Sequence, residues 1–276
     1  MEAYTDFASV YDTFMDNAPY AEWAGYIVGL LKKYGIRPCG EEAIEQGDEA
    51  DRVHQEALAA ERNVVVDLGC GTGTLTELLA DAGYDMIGID SSQEMLNLAL
   101  QKKERSGREI LYLMQDMREF ELYGVAGAFV SVCDSLNYLL EEEEIVETFR
   151  LVNNYLYPGG IFIFDFNTVY KYETVIGDAT IAENREDCSF IWENYYDAEA
   201  QINEYDITVF IREAEGDRFR RFTETHFQKG YTLEQMKAMV KRAGMVFVDA
   251  VDADTHGEVH GESERIYLVA RECGKV

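Results

Sequence analysis

Three glycines at alternate positions, Gly69, Gly71 and Gly73, stand between two acids, Asp67 and Asp90, with the small Cys70 inside the loop. Glycine lets a backbone approach a ligand with no Cβ in the way, and a helix starting beyond such a loop offers unpaired N–H groups. A carboxylate beside the loop suits a ligand with an ammonium or sulfonium centre, and Asp90 can accept hydrogen bonds from a ribose diol. A second set lies far downstream, where FRRFTETHF puts Arg220, Phe222, Glu224 and His226 on one face of a strand. Polar groups sharing a face with an aromatic suit a cleft wall better than open solvent, and the carboxylate and imidazole are candidates to take a proton there. His256 and His260 are spaced like a metal pair, but Gly257 and Gly261 argue against a helix and no third ligand is fixed, so no metal is expected.

The elements that must position these groups are legible around them. Val64, Val65 and Val66 form a β-branched run suited to a strand buried on both faces. Leu75, Leu78 and Leu79 mark a helix ended by Gly83, and a second strand from Met86 to Ile89 stops at Asp90. Ser91 and Glu94 have capping-box spacing ahead of a helix that lines one face with Met95, Leu98 and Ala99. Further strands follow at Ile110 to Met114, Ala126 to Val132 and Ile161 to Asn167, with an acidic-start helix from Glu141 to Leu151 and a turn at Pro158, Gly159 and Gly160. Thr232 and Gln235 make a second capping box, and Met245 to Val251 and Arg265 to Ala270 read as an antiparallel terminal pair. This is an open α/β sheet, in which a ligand is expected outside the carboxyl ends of the strands.

Composition agrees. A chain of 276 residues can bury a large core, and a hydrophobic content of 47% excludes wholesale disorder. No apolar run is long enough to cross a membrane, and the N-terminus lacks the order of a signal peptide. Five scattered cysteines suit a reducing compartment, so a cytoplasmic location is expected. The net charge of −29 would repel phosphodiester backbones, so nucleic acid is not an expected partner.

The glycine spacing is G-x-G-x-G rather than the G-x-G-x-x-G of a dinucleotide turn, position 74 is Thr, and a pyrophosphate has no use for the carboxylate of Asp67. The stretch VVDLGCGTG resembles the first motif of the class I S-adenosylmethionine-dependent methyltransferases. The resemblance implies a Rossmann-like seven-stranded sheet with an antiparallel terminal pair, and S-adenosyl-L-methionine as cofactor. It lays Asp67, Gly69, Cys70, Gly71 and Gly73 against the methionine end and Asp90 on the ribose. Ser91 and Met95 would sit near ribose and adenine, Asp116 against the adenine amino group, and Met117 beside the ring. Cys133 and Asp134 would mark the edge where cofactor and acceptor meet, with Asn137 and Tyr138 offering polar groups to an acceptor. The segment CDSLNYL departs from the Asn/Asp-Pro-Pro-aromatic motif of enzymes that methylate amino groups of bases. YDTFM, followed by Tyr20 and Trp23, resembles the N-terminal cap of small-molecule members, with Tyr11, Tyr20 and Trp23 expected as partial walls.

Between Thr168 and Phe227 lie too many residues for a bare connection. Tyr205, Ile207, Val209 and Ile211 alternate with polar residues, Phe190 to Tyr196 supplies a neighbouring strand, and Glu215, Gly216 and Asp217 supply a turn before the strand that carries Arg220, Glu224 and His226. RRFTETHFQKGY resembles a segment of a bacterial and archaeal subgroup of small-molecule methyltransferases, which fixes no substrate. The expected division is a helical cap and acidic linker over 1–61, a cofactor-binding core over 62–167, an inserted antiparallel lobe over 168–227, and the rest of the core over 228–276. The expected activity is in-line methyl transfer to a nucleophilic nitrogen or oxygen of a small molecule, by a monomer or homodimer. Two alternatives stand beside it: a cofactor-binding module without turnover, since a glycine loop certifies binding only, and a nicotinamide-dependent oxidoreductase.

Overall fold

The computed structural model describes residues 7–39, 61–213 and 218–275. Most of the acidic linker and the turn at Glu215, Gly216 and Asp217 lie outside these residues. In chain order the elements are α1 (Ala8–Phe14), α2 (Tyr20–Lys33), β1 (Val64–Leu68), α3 (Thr74–Asp81), β2 (Asp85–Asp90), α4 (Gln93–Ser106), β3 (Leu111–Met114) and β4 (Ala126–Ser131). After a 3-10 turn (Ser135–Tyr138) come α5 (Glu142–Tyr155), β5 (Leu156–Asn167), β6 (Thr180–Asn184), β7 (Cys188–Asp197), β8 (Ile202–Arg212) and β9 (Phe219–Lys229). The chain ends with α6 (Leu233–Arg242), β10 (Val246–Asp252) and β11 (Arg265–Arg271).

Seven strands form one sheet in the order β10-β11-β5-β4-β1-β2-β3, with β11 antiparallel to both its neighbours and the other pairings parallel. The expected class I architecture is present. Alternation along the strands divides the core into two layers, because successive side chains point to opposite faces. Val66, Leu68, Phe129, Phe162 and Phe164 meet α5 and α6 on one side, where Phe149 packs against two of those rings. Val65, Ala128, Val130, Ile161 and Ile163 meet α2 and α3 on the other through Ile27, Leu31 and Leu79. β1 and β4 lie at the centre of this sheet, and their carboxyl ends carry the loops of the cleft. Among the described residues no helix is long and apolar enough to cross a membrane.

The second sheet is an antiparallel meander, β6-β7-β8-β9, inserted between β5 and α6. The sequence pattern predicts three of its strands. The fourth, β6, is exposed along nearly all its length and so carries no alternation to read. Register pairs Phe222 with Val209, Glu224 with Ile207, and His226 with Tyr205 on one face. α1 packs on that face: Val10 joins Cys188, Tyr205, Ile207 and Val209 in one buried cluster, and the Phe14 and Phe190 rings meet edge-on at 4.7 Å. Arg221 lies on the opposite, outer face of β9, with Nη2 3.4 Å from Thr208 Oγ1.

Asn137 corrects a sequence expectation. It is fully buried, and its Nδ2 donates to the carbonyls of Asn167 (3.0 Å) and Lys229 (2.7 Å), while its Oδ1 accepts from the Asn167 N–H (2.9 Å). Both amide hydrogens are committed to backbone carbonyls, and the side chain does not line the cleft. It clasps the two points where the chain leaves and re-enters the core. The substitution N137A should therefore lower stability by about 1–3 kcal/mol, because it strands buried backbone groups. Urea unfolding checks this; unchanged stability with lost turnover would instead mark Asn137 as a substrate contact.

Candidate functional site

The glycine loop folds back over β2 because the N–H groups of Gly69 and Cys70 both donate to the Ile89 carbonyl, at 2.8 and 3.0 Å. Gly69 has a φ of +79°, and a Cβ there would collide with the Ser135 side chain. Gly71, at φ +54°, is the opposite case, since a Cβ would meet nothing within 4 Å. Its bare backbone faces the cleft, leaving room for a ligand to lie close. Asp90, at the end of β2, accepts from the N–H groups of Gly71 and Ser92, each at 2.8 Å. Asp67 is buried below the loop and accepts from Thr76 Oγ1 at 2.6 Å. Burial pushes its carboxyl up to about 7, and the Thr76 bond only partly opposes that. Desolvation also raises Asp90, against the backbone donors that favour its ionised form.

Helix α4 starts one residue later than the capping-box spacing predicts. Ser92, rather than Ser91, accepts the Met95 N–H at 3.2 Å, which leaves Ser91 and Glu94 on the cleft wall. Asp116 and Met117 follow β3 on the same wall, with Arg118 beside them. The cleft has a volume of about 750 Å³ and runs along the carboxyl ends of β1, β2, β3 and β4. That is within the range of sites for sizeable small ligands.

The other end of the cleft is built on the segment after β4. Cys133 and Asp134 both take left-handed backbone conformations, at φ +69° and +56°, which cost non-glycine residues of order 1–3 kcal/mol each. Their N–H groups converge on the Asp165 carboxylate, at 3.0 and 2.9 Å, and that carboxylate lies 3.5 Å from Arg265. Burial raises Asp165, and the guanidinium of Arg265 counters it. Desolvation pushes the Cys133 thiol up to about 12, so it stays protonated and non-nucleophilic near neutral pH. The Tyr11 hydroxyl stands 3.9 Å from its sulfur, and Tyr11, Tyr20 and Tyr138 share the surrounding wall.

Behind Tyr138 lies a line of polar groups. Its hydroxyl is 2.7 Å from the Tyr205 hydroxyl and 3.1 Å from His226 Nδ1. The imidazole stacks on the Tyr205 ring at 5.0 Å, and its Nε2 is 3.4 Å from Glu224 Oε2. Glu224 Oε1 in turn accepts the Phe7 N–H at 2.9 Å, at the start of the cap.

Several predicted site residues stand elsewhere. His226 and Glu224 are buried behind Tyr138 and do not line the cleft. Trp23 is buried, with the Arg265 guanidinium over its ring at 4.5 Å, and does not line the cleft. Gly73 opens α3 in a left-handed conformation, off the cleft surface. The Asp134 carboxylate accepts from Gln228 Nε2 under the inserted sheet. Arg220 lies at the exposed end of β9, over Phe222 at 5.5 Å. Tyr205, Gln228 and Arg118 were not predicted, although the alternation of β8 does place Tyr205 on the inward face. Among the described residues no cluster of His, Cys, Asp or Glu is arranged to hold a metal ion.

Comparison with known proteins gives a consistent result. Residues 65–160 match a family model described as a methyltransferase domain. YqeM of Bacillus subtilis (strain 168), which carries a methyltransferase name, is 36% identical over 97% of this chain and 96% of its own length. A similarly named protein of Geobacillus sp. (strain WCH70) is 34% identical over 97% and 99%. The crystal structure of an S-adenosylmethionine-dependent methyltransferase from Clostridium acetobutylicum ATCC 824 superposes with a TM-score of 0.80 at 26% identity, covering 99% of this chain and all of that one.

Two binding predictions follow from the geometry. D90A should weaken S-adenosylmethionine and its demethylated product alike by about 1.5–3 kcal/mol, read by calorimetry, because a charge-assisted contact is lost. A cationic ligand favours the ionised form of Asp67, so affinity for S-adenosylmethionine should be full above the raised carboxyl value of about 7 and fall as pH drops through it. D67N should flatten that dependence in the same titration.

Proposed function

The chain belongs to the class I S-adenosylmethionine-dependent methyltransferases, and on that premise we propose that it methylates a nucleophilic nitrogen or oxygen of a small molecule, with the acceptor proton leaving through Tyr138 toward His226 and Glu224. When bound, S-adenosylmethionine supplies an activated sulfonium methyl group, and the electron pair of the broken C–S bond stays on sulfur.

The residues present fit that cofactor. Gly71 leaves an open backbone face, Asp67 offers a carboxylate near its ammonium end, Asp90 can take the ribose diol, and Asp116 can face the adenine amino group. Ser91, Met95 and Met117 border the same space. The acceptor is assigned to the end enclosed by Tyr11, Tyr20, Tyr138 and Cys133, where the cap and the segment after β4 keep water from the transfer path. A thiol held protonated does not compete for the methyl group.

The observation that carries the proposal is the line from Tyr138 through His226 to Glu224. As the acceptor's N–H or O–H proton passes to the Tyr138 oxygen, the phenol proton passes to His226 Nδ1, and Glu224 stabilises the imidazolium that results. This requires the His226 tautomer with its hydrogen on Nε2, which is the nitrogen facing Glu224. A module that only bound cofactor would have no use for such a route.

A screen of pooled small metabolites with methyl-labelled cofactor identifies the acceptor. On that acceptor, H226Q and E224Q should each lower kcat/KM by about 10²-fold or more while cofactor affinity holds, since neither residue borders the cleft. Wild-type rates in both variants would contradict the proton route.

A further inference from the structure

Asp116 stands where the family places an adenine-facing carboxylate, yet in this chain it is held by a neighbour with no part in that expectation. Asp116 Oδ1 accepts from the Arg118 backbone N–H at 2.8 Å and from Arg118 Nε at 2.9 Å. Its Oδ2 accepts from Arg118 Nη2 at 2.6 Å and more weakly from Nε at 3.1 Å. The far side of the guanidinium donates from Nη1 to Glu144 Oε1 at 2.7 Å. Glu144 is itself fixed, because its Oε2 closes the capping box of α5 by accepting the Glu141 N–H. A rigid fork therefore runs from the first turn of α5 to the cleft, and both Asp116 and Arg118 line that cleft.

Stability does not explain the arrangement. Arg118 and Asp116 keep 48% and 26% of their side-chain surface exposed, and exposed ion pairs contribute only about 0–1 kcal/mol. What the fork does fix is geometry and charge. Each oxygen has one donor of its own, the Arg118 N–H on Oδ1 and Nη2 on Oδ2, with Nε divided between them, so the fork sets which way the remaining acceptor capacity of the carboxylate faces. The guanidinium also holds the Asp116 carboxyl below the usual carboxylate range, so it remains an acceptor and does not become a donor.

We infer that Arg118 is a positioning residue for base selectivity: anchored on Glu144, it orients Asp116 so that the site accepts a hydrogen bond from an exocyclic amino group and rejects a base with a carbonyl in its place. The inference rests on Asp116 facing the adenine. A carboxylate opposite a carbonyl oxygen pairs two acceptors, which a site built for hydrogen bonding rejects strongly. With Arg118 removed, Asp116 is free to turn, and the discrimination falls.

The test is calorimetry with S-adenosylhomocysteine and S-inosylhomocysteine, which carry an amino group and a carbonyl respectively at that exocyclic position, the inosyl base also bearing a hydrogen on the neighbouring ring N1. Wild type should prefer the adenosyl compound by about tenfold or more. R118M should shrink the preference to within about threefold, and R118K should not restore it, because a lysine cannot reproduce the two-pronged contact. A merely structural role for Arg118 would weaken both ligands in proportion and leave the ratio intact, which would overturn the inference. Equal binding of both ligands by wild type would overturn it too. Failure of wild type to bind either compound is a distinct result, and would remove the cofactor reading on which the inference stands.

Discussion

Each half of the cleft hangs on a desolvated carboxylate that gathers two backbone N–H groups. Asp90 takes those of Gly71 and Ser92, and so joins the glycine loop to the start of α4. Asp165 takes those of Cys133 and Asp134, and so holds two consecutive left-handed residues at the end of β4. Drawing a carboxylate out of water is costly unless hydrogen bonds compensate, and in both places the compensation comes from loop backbone. The same bonds that make the acid tolerable therefore fix the loop. Asp165 adds Arg265, whose guanidinium also covers Trp23, so the terminal strand β11 helps shape a loop at the sheet's centre.

The cap and the inserted sheet are fastened around that frame by polar ties. Lys102 donates to Thr72 and Thr74 of the glycine-loop region at 2.9 and 2.6 Å, and pairs with Asp12 of α1 at 2.7 Å. On the other flank Asp16 pairs with Arg185, and the Phe7 N–H reaches Glu224. α1 thus touches the loop on the cofactor side and the sheet that carries His226. Its own ring, Tyr11, lies between, beside Cys133. The bond from the Phe7 N–H to Glu224 joins the segment before α1 to the polar line behind Tyr138.

Much of the core was legible because its signals are local. A β-branched run, alternate glycines and a terminal acid lie within one short stretch, and the Thr232–Gln235 capping box reads within four residues. What escaped depends on contacts distant in sequence. Whether Ser91 or Ser92 caps α4 is decided by backbone angles, not by composition. Asn137 is as suitable for an acceptor as for a clasp, and only the arrival of Lys229, 92 positions away, settles which it is. The depth of His226 is likewise tertiary, since alternation along β9 gives its face but not the tyrosine standing in front of it.

One continuous cleft over the carboxyl ends of β1 to β4 has the size and lining to hold the cofactor. Amide hydrogen exchange with and without saturating S-adenosylhomocysteine tests it most directly. Bound ligand should slow exchange in the glycine loop, in residues 90–95 and 116–118, and in α1, with β10 and the outer strands of the inserted sheet unchanged. Slowing confined to the inserted sheet or to the β10–β11 hairpin, with the glycine loop unaffected, would contradict it.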